Sequence, residues 1–175
     1  KRKEDYLKII SKTAQERKEI TANTIGQSNN KLWRQERSIR LTSSNFGGIC
    51  KMKRTTHCAN SVKRLLYSSF SGNQATRWGN DHEAVAKKEF EEIYNLSIEE
   101  CGLFIDSQYN FLAASPDGLV GEEAIVEIKC PSSACFYTVT EAIQQRKIKF
   151  AEIKNGKVTL KRNDNYYYQI QGQLR

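Results

Sequence analysis

Two carboxylates and a lysine are the residues of this chain best suited to chemistry. Asp117 lies in the turn Ser115-Pro116-Asp117-Gly118. Ten residues on, Glu127 and Lys129 stand two apart in Ala124-Ile125-Val126-Glu127-Ile128-Lys129-Cys130, a run with the composition of a strand. Successive strand side chains point to opposite faces, so Glu127 and Lys129 share one face and Val126 and Ile128 the other. Carboxylates that converge beside an ammonium are costly to bring together unless a cation joins them. Hard oxygens suit Mg²⁺ or Mn²⁺ better than zinc, and the backbone carbonyl of Ile128, between the acid and the lysine, is one more such oxygen. Lys129 would then orient a water, help lower its pKa, or stabilise the charge of a phosphoryl-transfer transition state. A plainer reading fits the same spacing, with Asp117 in an Asx-type turn and Glu127–Lys129 as a surface ion pair. The Pro-Asp-Gly turn and the apolar run after it weigh toward the site.

A sheet must position these residues, and helices must pack on it. The period-two stretch 97–106, the turn 106–110, the strands 111–114 and 119–120, the turn 121–123 and the strand 124–130 read as a meander. It sets Asp117 on the strand beside Glu127, and Pro131 ends the pairing. Ahead of it, 74–94 reads as a long helix with an apolar stripe of Trp78, Val85, Ala86, Phe90, Ile93 and Tyr94. Gly79 inside that helix costs about 1 kcal/mol relative to Ala and points to close packing there. Glu83, four residues on, shares its face and is the third carboxylate candidate. After the meander, 136–145 reads as a helix, and Asn155-Gly156 as a hairpin turn between 150–153 and 157–160. Residues 163–175 form a last helix, with Tyr166, Gln169, Ile170 and Gln173 along one side. Helices, then strands, then helices make an α+β fold.

The charge is concentrated toward the N-terminus. Residues 31–66 hold nine Lys and Arg (Lys31, Arg34, Arg37, Arg40, Lys51, Lys53, Arg54, Lys63, Arg64) against one acid, Glu36, while the whole chain carries a net +8. A run this one-sided, mixed with Ser and Thr, fits contact with phosphates better than a solvated helix face. Within it, 32–40 reads as a helix anchored by Trp33, with Arg37 one turn on. Leu41-Thr42-Ser43-Ser44-Asn45-Phe46-Gly47 follows, where Thr42 or Ser43 caps a short helix. A helix start with hydroxyls and arginines around it is an anion site; simple capping explains the same residues equally well. A further helix over 60–70 has Val62, Leu65, Leu66 and Phe70 on its apolar side and is broken by Ser71-Gly72-Asn73. Residues 1–20 read as one charged helix with a thin apolar line (Tyr6, Leu7, Ile10, Ala14, Ile20), an appended arm rather than core. Residues 21–30, rich in Thr, Asn, Ser and Gly, read as a linker. The layout is therefore a helical arm and linker over 1–30 and a domain over 31–175.

At 175 residues and 38 % hydrophobic, the chain has room for one domain with that appendage. No apolar run approaches the roughly 18 residues of a membrane span, and the opening Lys-Arg-Lys-Glu-Asp has no apolar core of a signal peptide behind it. An intracellular protein is expected, with nucleus, cytosol and viral setting all open. Cys50, Cys58, Cys101, Cys130 and Cys135 form no Cys-x-x-Cys pair and read as reduced thiols.

Pro116-Asp117 with Glu127-Ile128-Lys129 resembles the PD-(D/E)xK nuclease signature. The finer wording is Trp33-x3-Arg37-x2-Arg40-Leu41-Thr42-Ser43-Ser44-x-Phe46-Gly47, Trp78-Gly79-x3-Glu83, Ser115-Pro116-Asp117-Gly118, Glu127-Ile128-Lys129-Cys130-Pro131 and Tyr168-Gln169-Ile170-Gln171, in that order. It resembles the phage-lambda-type alkaline exonucleases, also called YqaJ-like viral recombinases. The resemblance spans 31–175 and leaves 1–30 outside.

What the resemblance implies is specific. The fold would be restriction-endonuclease-like, a central mixed sheet flanked by helices. The family continues past the Gln-x-Gln helix with another strand and helix, so a truncated C-terminal part is expected here. Glu83, Asp117, Glu127 and the Ile128 carbonyl would hold two Mg²⁺ ions, with Mn²⁺ as a substitute. Lys129 would activate the attacking water, and Gln169 would position it or the scissile phosphate. Arg37 and Ser44 would hold the 5′-phosphate of a DNA strand. The implied activity is a 5′-to-3′ exonuclease on linear duplex DNA, in recombination, repair or viral DNA processing. Implied partners are duplex DNA with a free end, further copies of the chain (a ring of three in phage members) and a single-strand-annealing protein, with no membrane. Two other functions fit the same residues: a DNA-end-binding module without catalysis, and an endonuclease of the same fold. The acid–lysine set argues against the first and the terminal-phosphate pocket against the second.

Overall fold

The computed structural model describes residues 2–67 and 72–175. Lys1 lies outside the described residues, as do Phe70 and Ser71, which were expected to anchor and end a helix.

The N-terminal stretch is two helices rather than one, α1 (Arg2–Ile10) and α2 (Ala14–Asn23). The break follows from side chains that compete for the backbone. Ser11 Oγ donates back to Leu7 O at 2.7 Å. Thr13 then opens α2 with a capping box, its Oγ1 accepting the Glu16 N–H while Glu16 Oε2 accepts the Thr13 N–H. The expected arm is in fact part of the core. Ile10 is 1 % exposed, and Ile20 clusters with Leu103, Ile105 and Ala113, with Trp33 packed against them. The expected linker is held as firmly. Buried Thr24 donates to Ile20 O at 2.6 Å and accepts the Leu103 N–H at 2.7 Å. Gly26 and Gln27, at φ 85° and 43°, then turn the chain into a 3-10 turn at Gln27–Asn29.

Helix α3 (Lys31–Ser38) leads into β1 (Leu41–Thr42). β1 pairs in parallel with β3 (Leu112–Ala114), whose other edge pairs antiparallel with β2 (Phe104–Ile105). The class is α+β and this sheet is mixed, as expected. The pairing is more interrupted than the alternation implied. The expected strand 97–106 is reduced to β2 and one bridge, Glu99 with Leu119. Leu103 is bonded instead to Thr21 of α2 and to Thr24 just past it, and the Cys101 carbonyl to Gln27. A Cβ on Gly102 would stand 2.1 Å from Thr21 O and 2.3 Å from Thr24 Oγ1. Between β3 and β4 (Gly118–Val120) lies Pro116, which has no N–H to pair. β4 forms a hairpin with β5 (Ala124–Val126) around Gly121. A second hairpin joins β6 (Ala151–Lys154) to β7 (Lys157–Leu160) through Asn155 and Gly156, both at positive φ, as the Asn-Gly pair predicts.

The Gly102 contact makes the first testable prediction. Its neighbours are a backbone carbonyl and a buried hydroxyl, neither of which can yield cheaply. Gly102→Ala is expected to lower the unfolding free energy by about 3 kcal/mol, read from chemical denaturation.

The remaining helices frame the site. α6 (Gln74–Tyr94) covers the expected residues and starts at Asn73, whose side chain accepts the Thr76 N–H. Its half-buried face runs Trp78, Gly79, His82, Glu83, Ala86, Lys87 and Phe90. The expected apolar stripe is only partly covered, since Val85, Ile93 and Tyr94 are exposed. Gly79 is in ordinary rather than close contact: a Cβ there would be 3.9 Å from Cys130 O. α5 (Ala59–Tyr67) precedes α6, and α7 (Val139–Gln144) starts at a Thr138–Glu141 capping box rather than at 136. α4 (Phe46–Cys50) and α8 (Asn165–Gln173) meet through glycines. A Cβ on Gly47 would be 2.5 Å from Asn165 Oδ1, and one on Gly172 would be 2.5 Å from the Phe46 ring. That approach lets α8 lie against the segment of Ser43 and Ser44 with its glutamines toward Glu127.

Candidate active site

The β4–β5 register sets the centre. Gly118 pairs with Val126, which brings Asp117 opposite Glu127. The Asp117 N–H still donates to Val126 O, at 3.0 Å. Beyond it a side chain takes over from the ladder: Asp117 Oδ2 accepts the Ile128 N–H at 2.6 Å. Strand pairing therefore stops at Val126, and 127–130, expected as strand, leave the sheet. The alternation survives, because Glu127 and Lys129 point the same way and form an ion pair.

Glu127 is the most heavily bonded of the acids. Gln169 Nε2 donates to its Oε1 and Gln173 Nε2 to its Oε2, each at 2.6 Å. The ammonium of Lys129 also lies over the Tyr166 ring, 4.9 Å from its centroid. Glu83 reaches the centre from α6 and is paired with Lys87 at 2.8 Å. Asp117 registers the charges around it. Burial pushes its carboxyl up to about 6, Glu127 and then Glu83 add to the rise, and the Ile128 N–H and Lys129 oppose it.

Arg37 and Ser44 face each other beside this centre. The Arg37 guanidinium lies on the Trp33 ring, 4.2 Å from its centroid, and Nη2 donates to Ser44 Oγ at 3.4 Å. Ser44 Oγ also shares a hydrogen bond with Thr42 Oγ1 at 3.0 Å. Neither Thr42 nor Ser43 is a simple cap, since the 3-10 turn Ser43–Asn45 has no side-chain cap bond. Burial lowers the Arg37 pKa to about 10 against the pull of Glu127, so it remains a cation at neutral pH. Arg40, counted in the basic run, is structural. It is 3 % exposed, donates to Ile10 O and Asn110 O at 2.8 Å each, and pairs with Glu36.

All of these predicted residues meet in one cavity of about 590 Å³, lined by Arg37, Ser44, Glu83, Asp117, Glu127, Ile128, Lys129 and Gln169. Their distances do not close into a coordination shell: among the described residues, no three of His, Cys, Asp and Glu stand close enough to hold a metal ion. The donor chemistry nevertheless fits a hard divalent cation, being three carboxylates and a carbonyl with every donor an oxygen. Burial first, and then the charges of Glu127 and Glu83, hold the Asp117 carboxyl up, and a bound cation would offset both costs. Two residues have larger parts than the sequence assigned. Gln173 was placed on the Gln169 face without a role, and it bonds Glu127. Trp33 was an apolar anchor, yet its indole N–H also donates to Ser115 Oγ at 2.9 Å. The i,i+4 spacing 169/173 was the signal for Gln173, whereas the Trp33–Ser115 bond spans 82 residues and leaves no local signal.

A family model described as the YqaJ-like viral recombinase domain matches residues 32–175. The chain belongs to this family. Among solved structures, this YqaJ-like chain resembles LHK-Exo, an alkaline exonuclease from Laribacter hongkongensis, at 26 % identity and a TM-score of 0.56, over 81 % of this chain and 66 % of that one. A structure of LHK-Exo in complex with dAMP matches at 22 % identity and a TM-score of 0.54, over 79 % and 63 %. The YqaJ-like chain thus spans a little under two thirds of these two solved chains. No curated protein matches it. Among the described residues, no helix is long and apolar enough to cross a membrane.

Proposed function

We propose that this YqaJ-like chain is a Mg²⁺-dependent deoxyribonuclease that digests linear duplex DNA from a 5′-phosphorylated end. The observation that carries this reading is the shared cavity: Arg37 and Ser44 open into the same space as Glu83, Asp117, Glu127 and Lys129. Likeness to an alkaline exonuclease supports it.

The division of labour follows from chemistry. Glu83, Asp117, Glu127 and the Ile128 carbonyl would hold the cation. When bound, Mg²⁺ supplies neutralisation of phosphate charge and a water of lowered pKa. Lys129, already beside Glu127, would hold the attacking water and stabilise negative charge growing on the phosphoryl oxygens. Gln169 would orient that water or the scissile phosphate from the same spot at which it anchors Glu127. Arg37, oriented by Trp33, would make charge-assisted hydrogen bonds to a terminal phosphate, and the Ser44 hydroxyl would add one. A clamp for a terminal phosphate next to the cutting groups directs the enzyme to strand ends. The exposed cations of 31–66 would attract the duplex.

The test uses linear duplexes with 5′-phosphate or 5′-hydroxyl ends and a closed circle, each with Mg²⁺ or EDTA. Nucleotides should be released only with Mg²⁺, faster from phosphorylated ends, with the circle left intact. Nicking of the circle would replace the reading with an endonuclease, and end binding without release would replace it with a binding module. Arg37→Ala should reduce the rate ratio between phosphate and hydroxyl ends about 10- to 100-fold, as expected for the loss of hydrogen bonds to a charged group worth about 1.5–3 kcal/mol.

A further inference from the structure

The turn that carries Asp117 is gripped from outside. Trp33 bonds Ser115 Oγ, and Gln173 Nε2 reaches Ser115 O at 3.5 Å. Gln27 Nε2 donates to Pro116 O at 2.7 Å and to Cys101 O at 3.1 Å. Gln27 differs from the other two because it precedes the matched region, which starts at residue 32. We infer that Gln27 is a positioning residue of the active centre, whose amide fixes the Pro116–Asp117 peptide and so aims the Asp117 carboxylate into the cavity. This inference rests on the nuclease reading above.

The physical case is the rigidity of one peptide plane. Pro116 O and the Asp117 N–H belong to the same planar unit. Gln27 holds its oxygen edge, and Val126 O accepts from its nitrogen edge at 3.0 Å. With both edges held, the Cα from which the Asp117 side chain departs is fixed in place, and the Ile128 N–H then holds the carboxylate itself at 2.6 Å. Pro116 is fully buried, and among the described residues the other donor to its carbonyl is the weak Cys101 Sγ at 3.4 Å. A neutral amide suits the task. It offers two donors for two carbonyls, whereas a lysine or arginine there would add a cation beside Asp117. The chain also adopts an uncommon backbone to deliver it, with Gln27 at φ 43°. Gln27 lines the cavity that holds Asp117, and also a second cavity that Asp117 and Glu83 share, so it borders the site from both sides.

Gln27→Asn and Gln27→Gly separate positioning from packing. Asn and Gly both accept positive φ more readily than Gln, which offsets part of the cost of leaving Pro116 O without its donor, so both variants should stay fully folded at the assay temperature. The Asn amide is one methylene short of the two carbonyls, and Gly has none. Both variants should lose about 10- to 100-fold in kcat, require more Mg²⁺ for half-maximal rate, and keep the KM for DNA ends. Calorimetric titration of Mn²⁺ into the protein without DNA should show affinity weakened by a similar factor. Unchanged kcat and Mn²⁺ affinity in both variants, beside a wild type that cuts and binds Mn²⁺, would overturn this assignment alone. Losses that track a lowered thermal midpoint would reduce Gln27 to a packing residue and overturn it too. A wild type that neither binds Mn²⁺ nor releases nucleotides would overturn the nuclease reading and this assignment with it.

Discussion

Lys129→Ala is expected to bind DNA ends and leave them uncut, with single-turnover release from a 5′-phosphorylated duplex slowed about 10²- to 10³-fold. The ammonium is the group best placed to meet charge that grows in the transition state, since it lies within the cavity and against Glu127. Its removal leaves Glu127 with both glutamine amides, so the carboxylate keeps its position. Because the Glu127 side chain is only 5 % exposed, loss of its cationic partner should still lower stability, by about 3 kcal/mol at most once the two amides are kept. Lys129→Arg should not restore the rate, because a planar fork cannot replace a compact point charge here. Release assays and end binding by fluorescence anisotropy check the pair. A Lys129→Ala protein that cuts at the wild-type rate would remove Lys129 from the mechanism.

Asp117→Asn should also abolish cleavage, by about 10³-fold, while it spares end binding through Arg37 and Ser44. It carries a second signature in stability. Burial and the neighbouring acids raise the folded-state pKa of Asp117 from 3.8 to about 6. The folded state therefore holds this proton more tightly than the unfolded state, and ionised Asp117 opposes folding. That penalty is absent below about pH 4, grows as the pH rises through about 6, and reaches at most about 3 kcal/mol above it. Asn keeps an oxygen for the Ile128 N–H and carries no charge. In chelating buffer, Asp117→Asn should match the wild type near pH 4 and exceed its stability at pH 7. Denaturation at both pH values reads the difference, and equal stability at pH 7 would show that burial and the neighbouring acids do not hold the Asp117 carboxyl up.

Much of the fold was legible because its signals are local. The 3.6-residue pattern after the Ser71-Gly72-Asn73 break predicts α6, and Asn155-Gly156 predicts the last hairpin. The errors arose where a side chain replaced the backbone partner that the pattern assumed. Thr24 takes the Leu103 N–H, so the strand 97–106 shrinks to Phe104–Ile105. Asp117 takes the Ile128 N–H, so β5 ends early. Alternation reports which face a residue occupies, and it is silent on whether a ladder bond is actually made. The N-terminal arm was misread for a related reason. Its apolar line is thin, but Ile10 and Ile20 are buried by residues far along the chain, and no local pattern records that.

Residue types and spacing were enough to nominate Glu83, Asp117, Glu127 and Lys129, with roles for Gln169, Arg37 and Ser44 added by resemblance, and all seven line one cavity. Carboxylates, an ammonium and hydroxyls have intrinsic chemistry that does not depend on the path of the chain between them. Convergence had to come from packing. Gly47 and Gly172 let α8 approach closely enough for Gln169 and Gln173 to hold Glu127. Arg40, alike in type to Arg37, was withdrawn into the core by the carbonyls of Ile10 and Asn110. Gln27, in a stretch that looked like a linker, reached Pro116 across 89 residues of sequence. Hydrogen bonds and burial between distant segments depend on the whole fold, and they decided which of the candidate side chains face the same cavity.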